Sequence, residues 1–346
     1  SFPTRRSSDL ELIGWNINTN IAIGSFNFDL APVIIVAFFT ALLVMGTKIG
    51  ARVDGALTIL KIAIVVFIVV VGFFYIKAEN FTPFIPPSEP AASTDGSGVS
   101  AVMEQPLWQW ATGMAPSIYG VTGIISGAAL VFFAFLGFDV VATASEETIN
   151  PKKNVPLGIG VGLGLIIVLY TLVAIVTTGM VSYKDLAKQS DPSLAVAFKM
   201  VGADWAAKII SLGIVIGMAT VVMVLLLGLT RVVFAMSRDG LLPRGLSHTG
   251  KHGTPVRLQI IVGVVMALIA ACCNVGILSD MVNIGTLSAF TLVAISIPIM
   301  RKKRPDLERS FKIPGNPWVP ILIALANLWL MVNLSVLTWI RFVVWL

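Results

Sequence analysis

The chain has 346 residues, 56% of them hydrophobic and only 12% charged, with a formal net charge of +6. Soluble domains carry about 25% charged residues, so a soluble globule of this size is excluded, and a mean hydropathy of +0.91 agrees. The basic excess does not call for a nucleic-acid partner, because the Lys and Arg residues fall between apolar runs.

The first ten residues, "SFPTRRSSDL", are polar, basic and unlike everything after them. They resemble the translated frame of a common sequencing adapter and are set aside as a fusion scar would be. One membrane domain is then expected over residues 11–346, starting in mid-protein. Crossing about 30 Å of hydrocarbon takes about 20 apolar helical residues. Runs at 32–47 and 55–76 come first, and the second carries Lys61. Lys61 reads either as a side chain snorkelling from about two turns inside its helix or as part of a polar pathway. The long loop 77–120 follows. Its first half is Pro/Ser/Gly-rich and reads as flexible, while Trp108 and Trp110 suit a membrane interface.

The run 121–144 contains "LVFFAFLGFDVV". Asp139 there is either a hydrogen-bonder between helices or a pathway residue. Gly137, among aromatics, marks either a packing contact or a helix broken near mid-membrane, as transporters use. The run 157–181 opens on "GIGVGLG", whose glycines repeat at every second position and read as a surface for close helix contact. It is no dinucleotide fingerprint, since it follows no strand. After 208–230 comes "HTGKH", where His248 and His252 lack a third ligand, so no metal is expected. Cys272 and Cys273, ending the run 258–275, read as ordinary buried residues. Runs at 283–300 and 318–334 and a ninth from about 336 complete an all-α, polytopic membrane chain. No cluster of catalytic residues points to an enzyme or a cofactor.

Loops alternate in charge. Segments 48–54, 145–156, 231–257 and 301–317 hold 15 of the 24 basic residues and the opposite loops hold five. By the positive-inside rule, the first set is cytoplasmic.

Three stretches, "FFAFLGFDVVATASEETINPKKNVPLGI" (132–159), "GLTRVVFAMSRDGLLP" (228–243) and "DMVNIGTLSAFTLVAISIPIMRKKRPDLERSFKIPGNPWVP" (280–320), resemble bacterial members of the cationic amino acid transporter group. That group belongs to the amino acid–polyamine–organocation superfamily. The resemblance implies a secondary transporter with two inverted five-helix repeats, whose first and sixth helices unwind at the substrate site. On that plan 32–47 is the fourth helix, 55–76 the fifth and 121–144 the sixth, so helices one to three are absent from this sequence. It also implies that the backbone at Phe133, Ala134 and Leu136, with Phe135 between them, contacts the substrate, and that Asp139 closes the broken segment. Lys61 would stand where related sodium-driven transporters hold their second sodium ion, near Thr220 on the eighth helix. Met223, about one turn beyond Thr220 on the same face, either walls the side-chain pocket and favours small or medium neutral amino acids or is simply a lipid-facing or core residue.

The function implied is a proton-coupled permease for L-amino acids in the inner or plasma membrane. Its partners would be the amino acid, protons and the lipid bilayer, with no cofactor, metal or nucleic acid. A proton-independent exchanger of amino acids or polyamines is the alternative, as is a non-transporting sensor or scaffold on the same fold. Without the first-helix half of the site, the chain alone is not expected to transport.

Overall fold

The apolar runs fold as helices because hydrocarbon leaves the backbone no water to bond with, and a helix satisfies its polar groups internally. A computed structural model describes residues 20–23, 26–44, 47–90, 99–115, 117–143, 148–189, 192–247, 255–272, 275–306 and 315–346. The adapter-like start, His248, His252 and the side chains of Asp139, Cys272 and Cys273 lie outside what is described. Four helices are long and apolar enough to cross a membrane among the described residues, and five shorter apolar helices accompany them. All nine coincide with the expected runs, with ends shifted by a few residues and up to about two turns.

The chain divides into two compact units. The first comprises residues up to Thr82, Gly137–Pro151 and Leu157–Cys272. It opens on a hairpin of β1 (Asn20–Ile23) and β2 (Phe26–Asp29), antiparallel with Asn20 opposite Asp29. Helices α1 (Leu30–Val44) and α2 (Thr47–Phe73) follow, and the unit also holds α6 (Phe138–Thr143), most of α7 (Pro151–Met180), α8 (Tyr183–Ala187), α9 (Leu194–Met200), α10 (Asp204–Arg238) and α11 (Val256–Cys272). The second unit comprises Pro83–Leu136, Lys152–Pro156 and Cys273–Leu346. It contains the paired strands β3 (Glu89–Pro90) and β4 (Ser117–Ile118), helices α3 (Val99–Glu104), α4 (Leu107–Thr112) and α5 (Gly120–Val131), then α12 (Val275–Lys303), α13 (Trp318–Val332) and α14 (Val336–Trp345).

Close approach in the first unit depends on single glycines. Gly72 of α2 faces Val176 and Met180 of α7 and Phe198 of α9, and Gly213 of α10 faces Ile64 of α2. Gly263 of α11 lies against Thr40 of α1. The Thr40 hydroxyl is satisfied within its own helix by donating to the Val36 carbonyl at 2.7 Å. Around these seams the unit's core collects Ile68, Phe198 and Ile210 on one side, and Val36, Phe39 and Leu258 on the other.

The glycine run of α7 behaves differently from its reading as a packing surface. A Cβ built at Gly158, Gly160, Gly162 or Gly164 meets nothing within 4 Å. The buried residues of α7 are Val176, Gly179 and Met180, all in its last turns. Repeating small residues leave a smooth face, but a neighbour must be present to use it, and in this chain the neighbours gather at the other end of the helix.

In the second unit, the loop before α5 is tied down at several points. Leu107 N–H donates to the Leu334 carbonyl at 3.0 Å, and Val336 N–H donates to the Gln105 carbonyl at 3.1 Å. Trp108 is held by its indole N–H donating to Asn333 Oδ1 at 2.8 Å, whereas Trp110 is exposed. Of the two tryptophans expected at the interface, one therefore anchors the α13–α14 junction.

Gly72→Leu is expected to overpack the α2–α7–α9 seam at a cost of about 1–3 kcal/mol. Gly160→Ala, in open space, should leave stability unchanged or raise it through helix propensity. Thermal unfolding of the two variants in the same detergent checks this pair.

Candidate functional site

The sixth-helix run does not continue as one α-helix. α5 ends at Val131, a 3-10 turn spans Phe132–Phe135, Leu136 is extended (φ −62°, ψ 142°), and the chain re-enters a helix at Phe138. Gly137 makes the reversal possible with φ +120°, a conformation that side chains rarely adopt. Leu136 N–H donates to the Phe133 carbonyl at 3.2 Å and Val140 N–H to the Gly137 carbonyl at 3.2 Å, so the two sides of the break bond separately. The reading of Gly137 as a mark of helix interruption rather than helix packing matches this geometry, because nothing lies within 4 Å of a Cβ built there. Phe133 and Ala134 are exposed, and Phe135 and Leu136 are partly buried.

Lys61 points into the first unit. Its ammonium donates to Thr220 Oγ1 at 2.7 Å, linking α2 to α10 across 159 residues of sequence. Thr220 is fully buried and donates in turn to the Gly217 carbonyl at 2.7 Å. The Lys61 stem lies along α10 at Gly217, where a Cβ would sit at an ordinary contact distance of 3.6 Å from it. Gly213 and Gly217 are four apart on α10, and Lys61 and Ile64 three apart on α2, so each pair shares a helix face. The snorkelling alternative for Lys61 does not describe this contact.

Met223 is one turn from Thr220 and 2% exposed, in an apolar cluster with Val36, Phe39 and Leu43 of α1 and Leu258 and Val262 of α11. Its neighbours there are core side chains of its own unit. Asp139 lies in α6, whose next residue, Val140, packs against Gly228 of α10. Among the expected site residues, Lys61 and Thr220 are brought together. The backbone segment 133–136 belongs to the other unit.

Two more ionisable residues inside apolar helices escaped the sequence reading. Asp280 sits in the second turn of α12 and Arg341 in the middle of α14. Thr338 and Arg341 of α14 are the neighbours of the Asp280 carboxylate. "CCNVG" reads as an interruption and places the start of this helix too late, at 283, whereas α12 starts at Val275. The apolar residues from 275 onward were the available signal. Among the described residues no cluster of His, Cys, Asp or Glu could hold a metal ion.

Residues 13–341 match the family described as amino acid permease. The chain belongs to the amino acid permease family. It is 39% identical over 320 residues to the methylthioribose transporter of Bacillus subtilis (strain 168), covering 92% of this chain and 62% of that protein. With the branched-chain amino acid permease BcaP of the same organism it shares 40% identity over 325 residues, 93% of this chain and 63% of the relative. The cationic amino acid transporter 3, mitochondrial, of Arabidopsis thaliana is 34% identical over 281 residues, 81% of this chain and 42% of its own length. The chain thus spans a little over three fifths of the two Bacillus proteins. Family and helices together make it a multi-pass membrane protein of a transporter family rather than an enzyme.

Gly137→Ala places a side chain at φ +120° with no steric neighbour to blame. The cost is then backbone strain alone, about 1–3 kcal/mol, and should appear as a lower unfolding temperature. Gly217→Ala, helical and in ordinary contact with Lys61, should be affected less in the same measurement.

Proposed function

We propose that the complete protein is a proton-coupled permease of the plasma membrane (the inner membrane in a two-membrane cell) that carries small or medium neutral amino acids. Loops 48–54, 145–156, 231–257 and 301–317 face the cytoplasm on this reading. The observation that carries it is the 2.7 Å bond from the Lys61 ammonium to Thr220 between two apolar helices. A charge held away from water needs a reason, and a protonatable amine bridging α2 and α10 supplies one. Charged, it acts as a fixed cation that ties the helices together. Neutral, it loses the charge that strengthens its bond to the hydroxyl, and the two helices are freer to part. Proton binding and release at one atom would thereby be linked to a change in helix packing.

The interrupted segment 132–137 supplies the substrate side of the proposal. A backbone that leaves the helix presents carbonyls and amides sideways, which suits the ammonium and carboxylate of an amino acid. On this reading Phe133, Ala134, Phe135 and Leu136 contact the substrate, and Asp139 follows in sequence in α6. The relatives set a limit on cargo: two proteins of nearly equal identity are named for a branched-chain amino acid and for methylthioribose. Uptake of branched-chain amino acids, alanine, arginine and methylthioribose therefore has to be compared directly.

In the complete transporter reconstituted in liposomes, Lys61→Ala is expected to lose uptake driven by a pH gradient at least tenfold while retaining counterflow of the same amino acid. Unchanged stimulation by external acid in that variant removes Lys61 from coupling, and uptake that needs counter-substrate but no gradient identifies an exchanger.

Met223 is proposed as the size filter under the same reading. Its apolar surroundings mean that Met223→Ser lowers stability whatever its role. A changed ratio of alanine to arginine competition in this variant marks a filter, and an unchanged ratio marks a core residue.

A further inference from the structure

Leu130 is the next-to-last residue of α5. The last four carbonyls of any helix lack an intrahelical partner, and in lipid none can turn to water. The Leu130 carbonyl accepts from the Phe132 backbone N–H and, as a second donor, from the side-chain amide of Asn283, Nδ2 to O 3.3 Å. Asn283 lies on α12 and is 1% exposed. Only a donor can face a carbonyl, so the amide nitrogen is turned toward Leu130 and the oxygen away from it. That oxygen is buried and has no partner among the described residues.

An amide with half its hydrogen-bonding capacity unused is a poor packing choice. Its neighbours on the same face, Ile284 and Leu287, are fully buried and apolar, and they pack with Ala129 of α5. A leucine at 283 would match them without leaving a polar atom unsatisfied. One turn past Leu287, the Phe290 ring meets Phe132 edge to face with centroids 6.1 Å apart. Asn283, Leu287 and Phe290, spaced four and three apart, form one stripe along α12. The stripe grips the chain at Leu130 and Phe132, the two residues flanking Val131, where α5 gives way to the 3-10 turn.

We propose that Asn283 is a positioning residue for the interrupted segment 132–137, acting through its bond to the Leu130 carbonyl. It fixes where the helix stops and so where the substrate-facing backbone begins. The role in substrate binding rests on the transport reading above; the clamp itself does not.

The test uses the complete transporter in nanodiscs with two readouts, backbone amide exchange over 132–137 and the KM for a transported neutral amino acid. Asn283→Leu is expected to speed exchange in the segment at least tenfold and to raise KM at least tenfold, with Vmax per folded molecule changing far less. Asn333→Leu removes another buried amide of the same unit, bonded to Trp108 and the Trp329 carbonyl. It should lower thermal stability yet leave KM and exchange over 132–137 unchanged. If Asn283→Leu does not fold, Asn283→Ser, which is too short to reach Leu130, is read in the same way.

Unchanged exchange in the Asn283 variant overturns the clamp, and a raised KM with unchanged exchange overturns it too, because the amide would then act on the substrate directly. Faster exchange with an unchanged KM overturns the link to substrate. If the wild-type protein transports none of the amino acids tried, the transport reading fails, and the exchange measurement alone decides whether Asn283 holds the segment.

Discussion

A carbonyl or amide in hydrocarbon has no solvent to bond with, so each departure from a regular helix must be answered by another group of the protein. Most of this chain obeys by staying helical over long apolar runs. The stretch from Phe132 to Gly137 departs, and the groups around it show what the departure requires. A 3-10 turn shortens the hydrogen-bond ladder, a glycine takes the left-handed conformation, and a buried asparagine adds a second donor to a carbonyl at the helix end. The glycine and the asparagine are residue types that would be unfavourable elsewhere in an apolar helix.

Charge follows the same rule. Lys61 and Asp280 are both ionisable groups within apolar helices; Lys61 bonds the Thr220 hydroxyl on another helix, and Asp280 has Thr338 and Arg341 of α14 for neighbours. Threonine suits this task. Its hydroxyl can donate to a nearby carbonyl of its own helix while accepting from a neighbour, as Thr220 does with Gly217 and Lys61. A small polar group that is already satisfied at home costs little to bury, yet still offers a lone pair to an ammonium. On the same face of α10, Gly217 lies beside the lysine stem and Gly213 makes room for Ile64 of α2.

The apolar packing shows where rigidity is invested. Close contacts in the first unit converge on the ends of α2 and α7 and on α9, where Gly72, Gly179 and Phe198 meet large neighbours. Asn80 and the Lys77 backbone both donate to the Gly179 carbonyl, at 2.7 and 2.9 Å, and secure the same corner. By contrast, the first half of α7 is largely exposed and its glycines touch nothing. A helix fixed at one end and open along the other presents a lipid-facing or partner-facing surface by default, since soluble exposure of such a run would be unfavourable.

Hydropathy and length alone determined the all-α membrane class, the nine apolar helices and the alternation of basic loops, because these follow from transfer of residues into hydrocarbon and need no tertiary contact. Gly137 among aromatics was enough to raise helix interruption as one of two readings. The partnership of Lys61 with Thr220 came from family resemblance, since no local pattern links residues 159 apart. Asp280, Arg341 and Asn283 were decided only by the folded chain: a polar residue near a helix end looks like a loop residue until the helix is seen to start two turns earlier. The glycines of α7 teach the converse. Their spacing specified a smooth face, but whether anything packs there is a property of the neighbours, and only the tertiary structure places those.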